Sequence, residues 1–352
     1  MRTDDLDYTL PPELIATAPA PRREDARLLV VRRDDPTAVE HRTVADLPRY
    51  ISPDDAVTLN DTRVRRARLA GRRADTGGTV TGLFLSADPA APHRWRVMLK
   101  AGSTLRPGYT VELTNPAGES AGAALTLESK DTAGVWTVTL NDPAATPDAL
   151  DHLGRVPLPP YILQARAHAG GSADQPGDAD RPGSVAAPTA GLHLTDALLT
   201  DLRAQGTRVR ALTLHVGAGT FKPIESDTLD QHPMHAEWCD IPAGTLAAID
   251  TARAAGGRSL AVGTTTARAL ESVPTHRTDA WTGETSILIA PGHTWARTDA
   301  LLTNFHLPRS TLLAMVAALF PGGIDDLKPL YRTAIDARYR FYSFGDAMLI
   351  LP

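Results

Sequence analysis

The chain has 352 residues, long enough for a large core and for two domains rather than one. Its 36 basic side chains against 41 acidic ones give a formal net charge of -5, so bulk charge cannot hold a polyanion and any nucleic-acid contact must come from a local basic patch. One cysteine, Cys239, excludes an internal disulfide and a cysteine-based zinc cage, no apolar run approaches a membrane span, and the start MRTDDLDYTLPPELIA lacks signal-peptide order, so a soluble cytoplasmic protein is expected.

The opening PPELIATAPAPRREDARLLVVRRDD predicts a short helix, a proline-broken loop and a strand over Leu28 to Arg32. AVTLNDTRV adds a strand running into Asn60 and Asp61. From Arg63 the character changes. GTVTGLFLS, HRWRVMLK, YTVELT, AALTLES and GVWTVTLN are short β-type runs between Gly, Pro, Asn and Asp, the pattern of a small barrel or sandwich. After LGRVPLPPYI helices return and alternate with strands. The all-β segment therefore reads as an insertion over residues 63–151, inside a discontinuous α/β domain of residues 1–62 and 152–352. The stretch from Ala167 to Pro182, rich in Gly, Ala, Asp and Pro, buries little and reads as a mobile loop.

Beyond it, TDALLTDLRAQG predicts a helix with Thr195 as N-cap and Gly206 at its end. The strand RALTLHV, the helix GTLAAIDTARAAGG, the strand RSLAVG, the helix TTTARALESV and the strand ETSILIAPG follow. RSTLLAMVAALF predicts an apolar helix capped by Ser310, and YRFYSFGDAMLIL closes the chain on a strand completing the sheet.

Several stretches carry residue types suited to chemistry. LTLHVGAGTF sets His215 at the end of an apolar run, then Gly217 and Gly219. A dinucleotide fingerprint would need a third glycine where Lys222 stands, and no G-x-x-x-x-G-K-[ST] loop occurs. A bend in a strand, or bare backbone for a ligand to approach, both remain. QHPMHAEWCDIP offers His232, His235 and Glu237, with His215 as a third imidazole. Pro233 and the extended pattern after it favour a hydrogen-bonded histidine pair over a zinc site. Thr264, Thr265 and Thr266 open a helix after a strand, as Thr189 and His193 precede another; each start suits either an anion or a plain cap. Asn304, His306, Arg309 and Ser310 adjoin a nearly all-apolar helix, where polar groups must be paired or used. Arg340, Tyr342 and Asp346 lie beside the last strand. Arg63, Arg65, Arg66, Arg68, Arg72 and Arg73 form either a solvated charged strand or a phosphate-binding edge.

In order along the chain, LPPELIA, RLLVV, NDTRV, VPLPPYI, PGSVAAPTAGLHLT, LHVGAGTFKPI, HPMHAEW, VGTTTARALES, LLTNFHLPRSTLL and YRFYSFGDAMLI closely resemble the S-adenosylmethionine:tRNA ribosyltransferase-isomerase family of queuosine biosynthesis. The resemblance covers essentially the whole chain and is weakest in the β insertion and in residues 167–182. It implies an α/β main domain with an inserted small all-β barrel, and a cytoplasmic monomer without membrane, metal or bound cofactor. It also implies a transferase that uses S-adenosylmethionine as ribosyl donor. The ribosyl moiety moves, with isomerisation, onto 7-aminomethyl-7-deazaguanine at the wobble position of a tRNA. Epoxyqueuosine-tRNA, adenine and methionine result.

Such chemistry asks for a base at the 5′ carbon that the sulfonium acidifies, a proton donor for departing adenine, and a neutral substrate amine. His193, His215, His235 and His306 are the pool expected to supply acid and base, with Glu237 as a partner that orients or charges one of them. Thr264, Thr265 and Thr266 are expected to hold the methionine carboxylate or an anticodon phosphate. Thr189, Gly217, Gly219, Thr220, Arg268, Asn304, Ser310 and Asp346 complete the substrate-binding set, and Arg63, Arg65, Arg66, Arg68 and Lys222 are expected to meet tRNA phosphates. The chain departs from the family where SADQPGDADR replaces a Tyr-Gln-Thr-Val-Tyr-like segment, at Leu194 in place of phenylalanine, and at Ala290 in place of tyrosine. Two rival readings are a metal-dependent hydrolase using His215, His232, His235 and Glu237, and a tRNA-binding homologue that has lost catalysis.

Overall fold

A computed structural model describes residues 1–64, 66–132, 134–142, 147–155, 183–184, 188–217 and 224–352. Arg65, Gly219, Thr220, Lys222, the expected loop from Ala167 to Pro182 and the side chain of Arg63 lie outside the described residues. The described residues fall into two compact units, the first of residues 1–62 and 188–352, the second of those between 63 and 155 together with 183–184. The expected α/β fold with an inserted all-β barrel is the one the chain forms.

The strands are β1 (Arg27–Arg32), β2 (Val39–Thr43), β3 (Ala56–Asn60), β4 (Arg63–Val64), β5 (Arg68–Arg73), β6 (Thr79–Asp88), β7 (Ala91–Ala101), β8 (Thr110–Thr114) and β9 (Ser120–Lys130). They continue as β10 (Val135–Leu140), β11 (Gly183–Ser184), β12 (Arg208–Leu214), β13 (Glu237–Ile241), β14 (Ser259–Val262), β15 (Trp281–Thr285), β16 (Ala300–Asn304) and β17 (Ala347–Leu351). In the first unit nine of them form one sheet in the order β15-β13-β12-β3-β14-β16-β17-β1-β2. β12, β3, β14 and β16 run parallel, so their carboxyl ends share one edge, and the antiparallel β13 and β17 bring their amino ends to it.

Alternation along each strand and the register between strands sort side chains onto two faces. Val57, Val209, Leu260, Val262, Ala300 and Leu302 fill the core of the first face with Leu198 and Leu202 of helix Asp196–Ala204. At the carboxyl edge that face carries His215, Trp238 and Asn304. Asn60, Glu237 and Thr303 fall on the second face, over which helix Thr264–Ser272 lies. The caps follow the sequence reading: Leu198 N–H donates to Thr195 Oγ1 and Leu313 N–H to Ser310 Oγ, each at 3.2 Å.

Three elements differ from expectation. The strand predicted in ETSILIAPG is β15, seven residues upstream of Gly292, because it pairs with β13 from Trp281 to Thr285 and ends where the Ile287 N–H turns back to Thr285 Oγ1. PPELIA forms only a 3-10 turn, Pro12–Leu14. Helix Ile324–Asp336, for which the sequence reading names no element, is held by the buried stripe Leu327, Leu330, Tyr331 and Ala334 at helical spacing. Among the described residues no helix is long and apolar enough to cross a membrane.

In the second unit six antiparallel strands close a barrel in the order β10-β7-β6-β5-β8-β9. The arginine run supplies β5. Leu69 points into the barrel core, and the buried Arg73 is held by Asp75 and Ser103, so one of the six arginines is structural. Trp95 and Phe84 meet edge to face at 5.0 Å in that core, where burying each such ring stabilises the barrel by about 2–3 kcal/mol. Arg155 belongs to this unit because its backbone exchanges hydrogen bonds of 2.8 and 3.0 Å with Arg68. The close approach fixes the preceding residue as glycine, since a Cβ on Gly154 would lie 1.5 Å from the Arg66 carbonyl oxygen.

Candidate active site

The carboxyl edge of a parallel sheet is where open α/β folds place ligands, because the strands deliver polar residues there and the following helices begin there. In this chain four such ends, those of β12, β3, β14 and β16, carry the candidates. β3 ends in Asn60, whose amide is fully engaged. Its Nδ2 donates to the Leu214 carbonyl (3.1 Å) and to Thr265 Oγ1 (3.2 Å), and its Oδ1 accepts from the Thr62 and Leu214 N–H groups, both 3.0 Å. That arrangement turns the chain after β3 so that Thr62 Oγ1 lies 2.9 Å from His215 Nδ1. A hydroxyl can give or take a hydrogen bond, so Thr62 accommodates either tautomer of the ring. The half-buried His215 also stacks on Trp238, with ring centroids 4.9 Å apart and planes 21° apart.

Three strand spacings away, roughly 14 Å, β16 ends in Asn304 on the same face. Asn304 Oδ1 accepts from Thr189 Oγ1 (3.0 Å), and its Nδ2 faces His193 Nε2 at 3.0 Å. Since Nδ2 must donate, His193 accepts at Nε2 and carries its proton on Nδ1, toward the Arg23 backbone. Both ring nitrogens are thereby committed, and burial holds the His193 pKa down to about 4. His193 is therefore neutral near pH 7.

This burial has a consequence for stability. An unfolded histidine titrates near 6.5, so between about pH 6.5 and about pH 4 the unfolded chain takes up a proton that the folded one refuses. Stability present above pH 6.5 is lost as the pH falls through that window, by about 3 kcal/mol at most. Urea unfolding of a His193→Asn variant is expected to show a shallower acid slope there than the parent; an unchanged slope would place the proton uptake elsewhere.

Between the two clusters β14 ends at Gly263, with φ 90° and ψ 150°, a backbone region that side chains other than glycine rarely enter. A Cβ there would make only ordinary contacts, with Ala190 Cβ at 3.6 Å and Thr265 Oγ1 at 3.8 Å, so conformation rather than space requires glycine. The next helix starts at once. Thr266 Oγ1 donates to the Val262 carbonyl (2.6 Å) and Thr265 accepts from Asn60, so both hydroxyls hold the turn together.

On the second face Glu237 Oε2 and Arg268 Nη1 are 2.7 Å apart, with only 2 and 5% of the two side chains exposed. Glu237 Oε1 accepts the Gly217 N–H at 2.9 Å. This pair tethers the chain leaving β12 to the helix behind it, on the opposite face from His215. The neighbouring Cys239 thiol is pushed up to about 12 by burial and stays protonated.

Of the remaining candidates, Asp346 adjoins the Asn304 cluster: its backbone carbonyl accepts from Asn304 Nδ2 at 3.4 Å, and its carboxylate lies near enough to His193 to act against the burial that lowers that ring's pKa. His306 Nε2 is 2.9 Å from Thr303 Oγ1 on the second face, burial lowers its pKa to about 4, and its backbone is clamped by the hydroxyls of Tyr8 and Tyr331. His235 is exposed, next to His232, whose pKa is lowered by burial and by His235 itself. Asp346 is buried and accepts from the Arg27 and Arg340 N–H groups (3.0 and 2.7 Å), fixing the start of β17. Ser310 serves as the helix cap described above. In the barrel Arg66 is exposed and donates to the Asp151 carbonyl (3.3 Å), and Arg68 is half-buried in β5. Among the described residues no group of three or more His, Cys, Asp or Glu is arranged to hold a metal ion. Sequence reasoning missed Asn60, Thr62 and Trp238; for the first two the available signal was a strand ending in Asn and Thr.

The family model described as "Queuosine biosynthesis protein" matches residues 3–350. The S-adenosylmethionine:tRNA ribosyltransferase-isomerase of Sorangium cellulosum is 45% identical over 374 residues, covering 99% of this chain and 98% of that protein. The enzyme of the same name from Acidithiobacillus ferrooxidans is 46% identical over 353 residues, covering 100% and 99%. The crystal structure of an S-adenosylmethionine tRNA ribosyltransferase from Thermotoga maritima is similar at 30% identity with a TM-score of 0.55, over 99% of this chain and 100% of that one.

Proposed function

The chain belongs to the queuosine biosynthesis protein family, and from that premise we propose where and how it acts as an S-adenosylmethionine:tRNA ribosyltransferase-isomerase. It moves the ribosyl moiety of S-adenosylmethionine, with isomerisation, onto 7-aminomethyl-7-deazaguanine at the tRNA wobble position, releasing adenine and methionine. The reaction runs on the first face of the sheet, at its carboxyl edge. What supports this placement above all is that His215 on Thr62, and Asn304 with Thr189 and His193, sit on one face about 14 Å apart. That span suits an extended nucleoside-sulfonium laid across the strand ends.

In this reading His215 takes the proton from the 5′ carbon beside the sulfonium, its ring steadied by the hydrogen bond between Nδ1 and Thr62 Oγ1. The ring, once charged, returns a proton to the departing adenine. Asn304, fixed by Thr189 and His193, orients the ribose. His193 serves by position rather than by titration, because its proton would have to bind against the burial that lowers its pKa. The amides opening helix Thr264–Ser272 receive the methionine carboxylate, and Arg66 and Arg68 of the barrel meet tRNA phosphates. The protein works as a cytoplasmic monomer, with S-adenosylmethionine as substrate rather than resident cofactor.

The test is incubation with labelled S-adenosylmethionine and tRNA carrying the aminomethyl base. Adenine and methionine should appear in equal amounts, with tRNA affinity falling steeply as salt rises. No adenine, or an affinity indifferent to salt, would overturn the reading.

A further inference from the structure

Only three large apolar side chains among the described residues stand exposed, and one of them, Trp238, is in the candidate site. Its strand reads buried, exposed, buried, half-buried, buried from Glu237 to Ile241, so the indole occupies an outward position where a polar residue would cost nothing. It is not there to fill a core: 40% of it faces solvent. Nor is it loose. Trp238 lies opposite His215 in the register, the His215 N–H donates to the Trp238 carbonyl (2.9 Å), and the two rings lie nearly parallel. Thr62 holds the far side of the imidazole, so ring and indole form a short rigid aromatic ledge at the strand ends.

The charges around the ledge say what can rest on it. The residue facing Trp238 on β15 is the exposed Glu284, and Asp240 and Asp61 lie on or beside the same face, accepting from the hydroxyls of Thr282 and Thr213 at 2.7 Å each. Three carboxylates repel a phosphate backbone and accept hydrogen bonds from amino groups. A flat, electron-rich ring edged by acceptors fits the face of an amino-bearing base.

We infer that Trp238 is a stacking shelf for a purine-type base of one of the two substrates, either the adenine of S-adenosylmethionine or the 7-deazaguanine of the tRNA. The inference rests on the functional reading above, since only a substrate reaching His215 is brought against this indole. Trp238 holds its base by shape and takes no part in proton transfer.

Steady-state adenine release in Trp238→Ala and Trp238→Phe, with each substrate varied at saturation of the other, tests the inference. Stacking on an aromatic side chain is worth enough that Trp238→Ala should raise KM for one substrate between about 5- and about 150-fold, and Trp238→Phe should recover most of that loss. A rise confined to S-adenosylmethionine identifies adenine; one confined to tRNA identifies the deazaguanine, with the salt dependence of tRNA affinity unchanged because no phosphate contact is lost. Both KM values within about twofold of the parent, or both raised without rescue by phenylalanine, would overturn the inference. Wild-type protein in the same assay separates the two claims: an inactive parent sinks the functional reading, whereas an active parent with an indifferent Trp238→Ala sinks only the shelf.

Discussion

His215→Gln is expected to slow adenine release from S-adenosylmethionine by about 100- to 10,000-fold, the range over which a positioned acid or base contributes to a proton transfer. Folding should hardly notice. The ring is half-buried at the end of a strand, fills no core, and is replaced by a side chain able to keep a hydrogen bond to Thr62, so the unfolding free energy should move by less than about 1 kcal/mol. His193→Asn should behave oppositely. Its ring is buried with both nitrogens committed, so its loss lowers stability and weakens ribose placement while the proton-transfer group stays in position. Rapid-quench measurement of adenine under saturating substrates, beside urea unfolding, separates the two. A drop of less than tenfold in His215→Gln would remove the imidazole from the chemistry.

The second large effect is one of stability. Glu237→Gln removes the charge opposite Arg268 in a site where neither side chain reaches water, and is expected to cost about 3–5 kcal/mol. The penalty comes from stranding the guanidinium. Its Nε and Nη2 are buried without a hydrogen-bond partner among the described residues, so Glu237 is the carboxylate that compensates the charge there. Replacing both, as Glu237→Gln with Arg268→Met, should recover most of the loss, because an apolar side chain of similar length asks for no partner in that space. Urea unfolding of the parent, the two single variants and the double variant closes the cycle. Additive losses would show that the two residues act independently, and would remove the ion pair as the tether between β12 and the helix behind it.

How far the chain could be read without coordinates depended on whether the signal was local. Alternation of strands with helices, the caps at Thr195 and Ser310, and the β-type runs of the barrel all depend on neighbours within a few residues. Each formed as expected. The errors were long-range. RLAGRR, readable as a solvated charged strand or a phosphate-binding edge, forms a strand, and what its composition hides is that Leu69 enters the barrel core and Arg73 is buried against the distant Ser103. Pro329 argues locally against a helix, yet four buried side chains outweigh the hydrogen bond it removes. The site divided the same way. Polar residues at the ends of strands, His215 and Asn304 among them, were legible because a parallel sheet delivers its strand ends to one edge. Their faces were not. A shift of one residue moves a side chain across the sheet, which is why Glu237, expected to orient or charge one of the histidines, faces Arg268 instead. Asn60 and Thr62 went unremarked because their work is to hold another residue's ring, a role no spacing in the chain reveals.

Whether His215 reaches the carbon that loses its proton is measured directly by a crystal structure with S-adenosylmethionine bound. The ribose should lie across the first face with its 5′ carbon within about 3.5 Å of the imidazole and its hydroxyls toward Asn304. A ribose on the second face, beside Glu237 and Arg268, or one held away from the edge where β12 and β16 end, would contradict it.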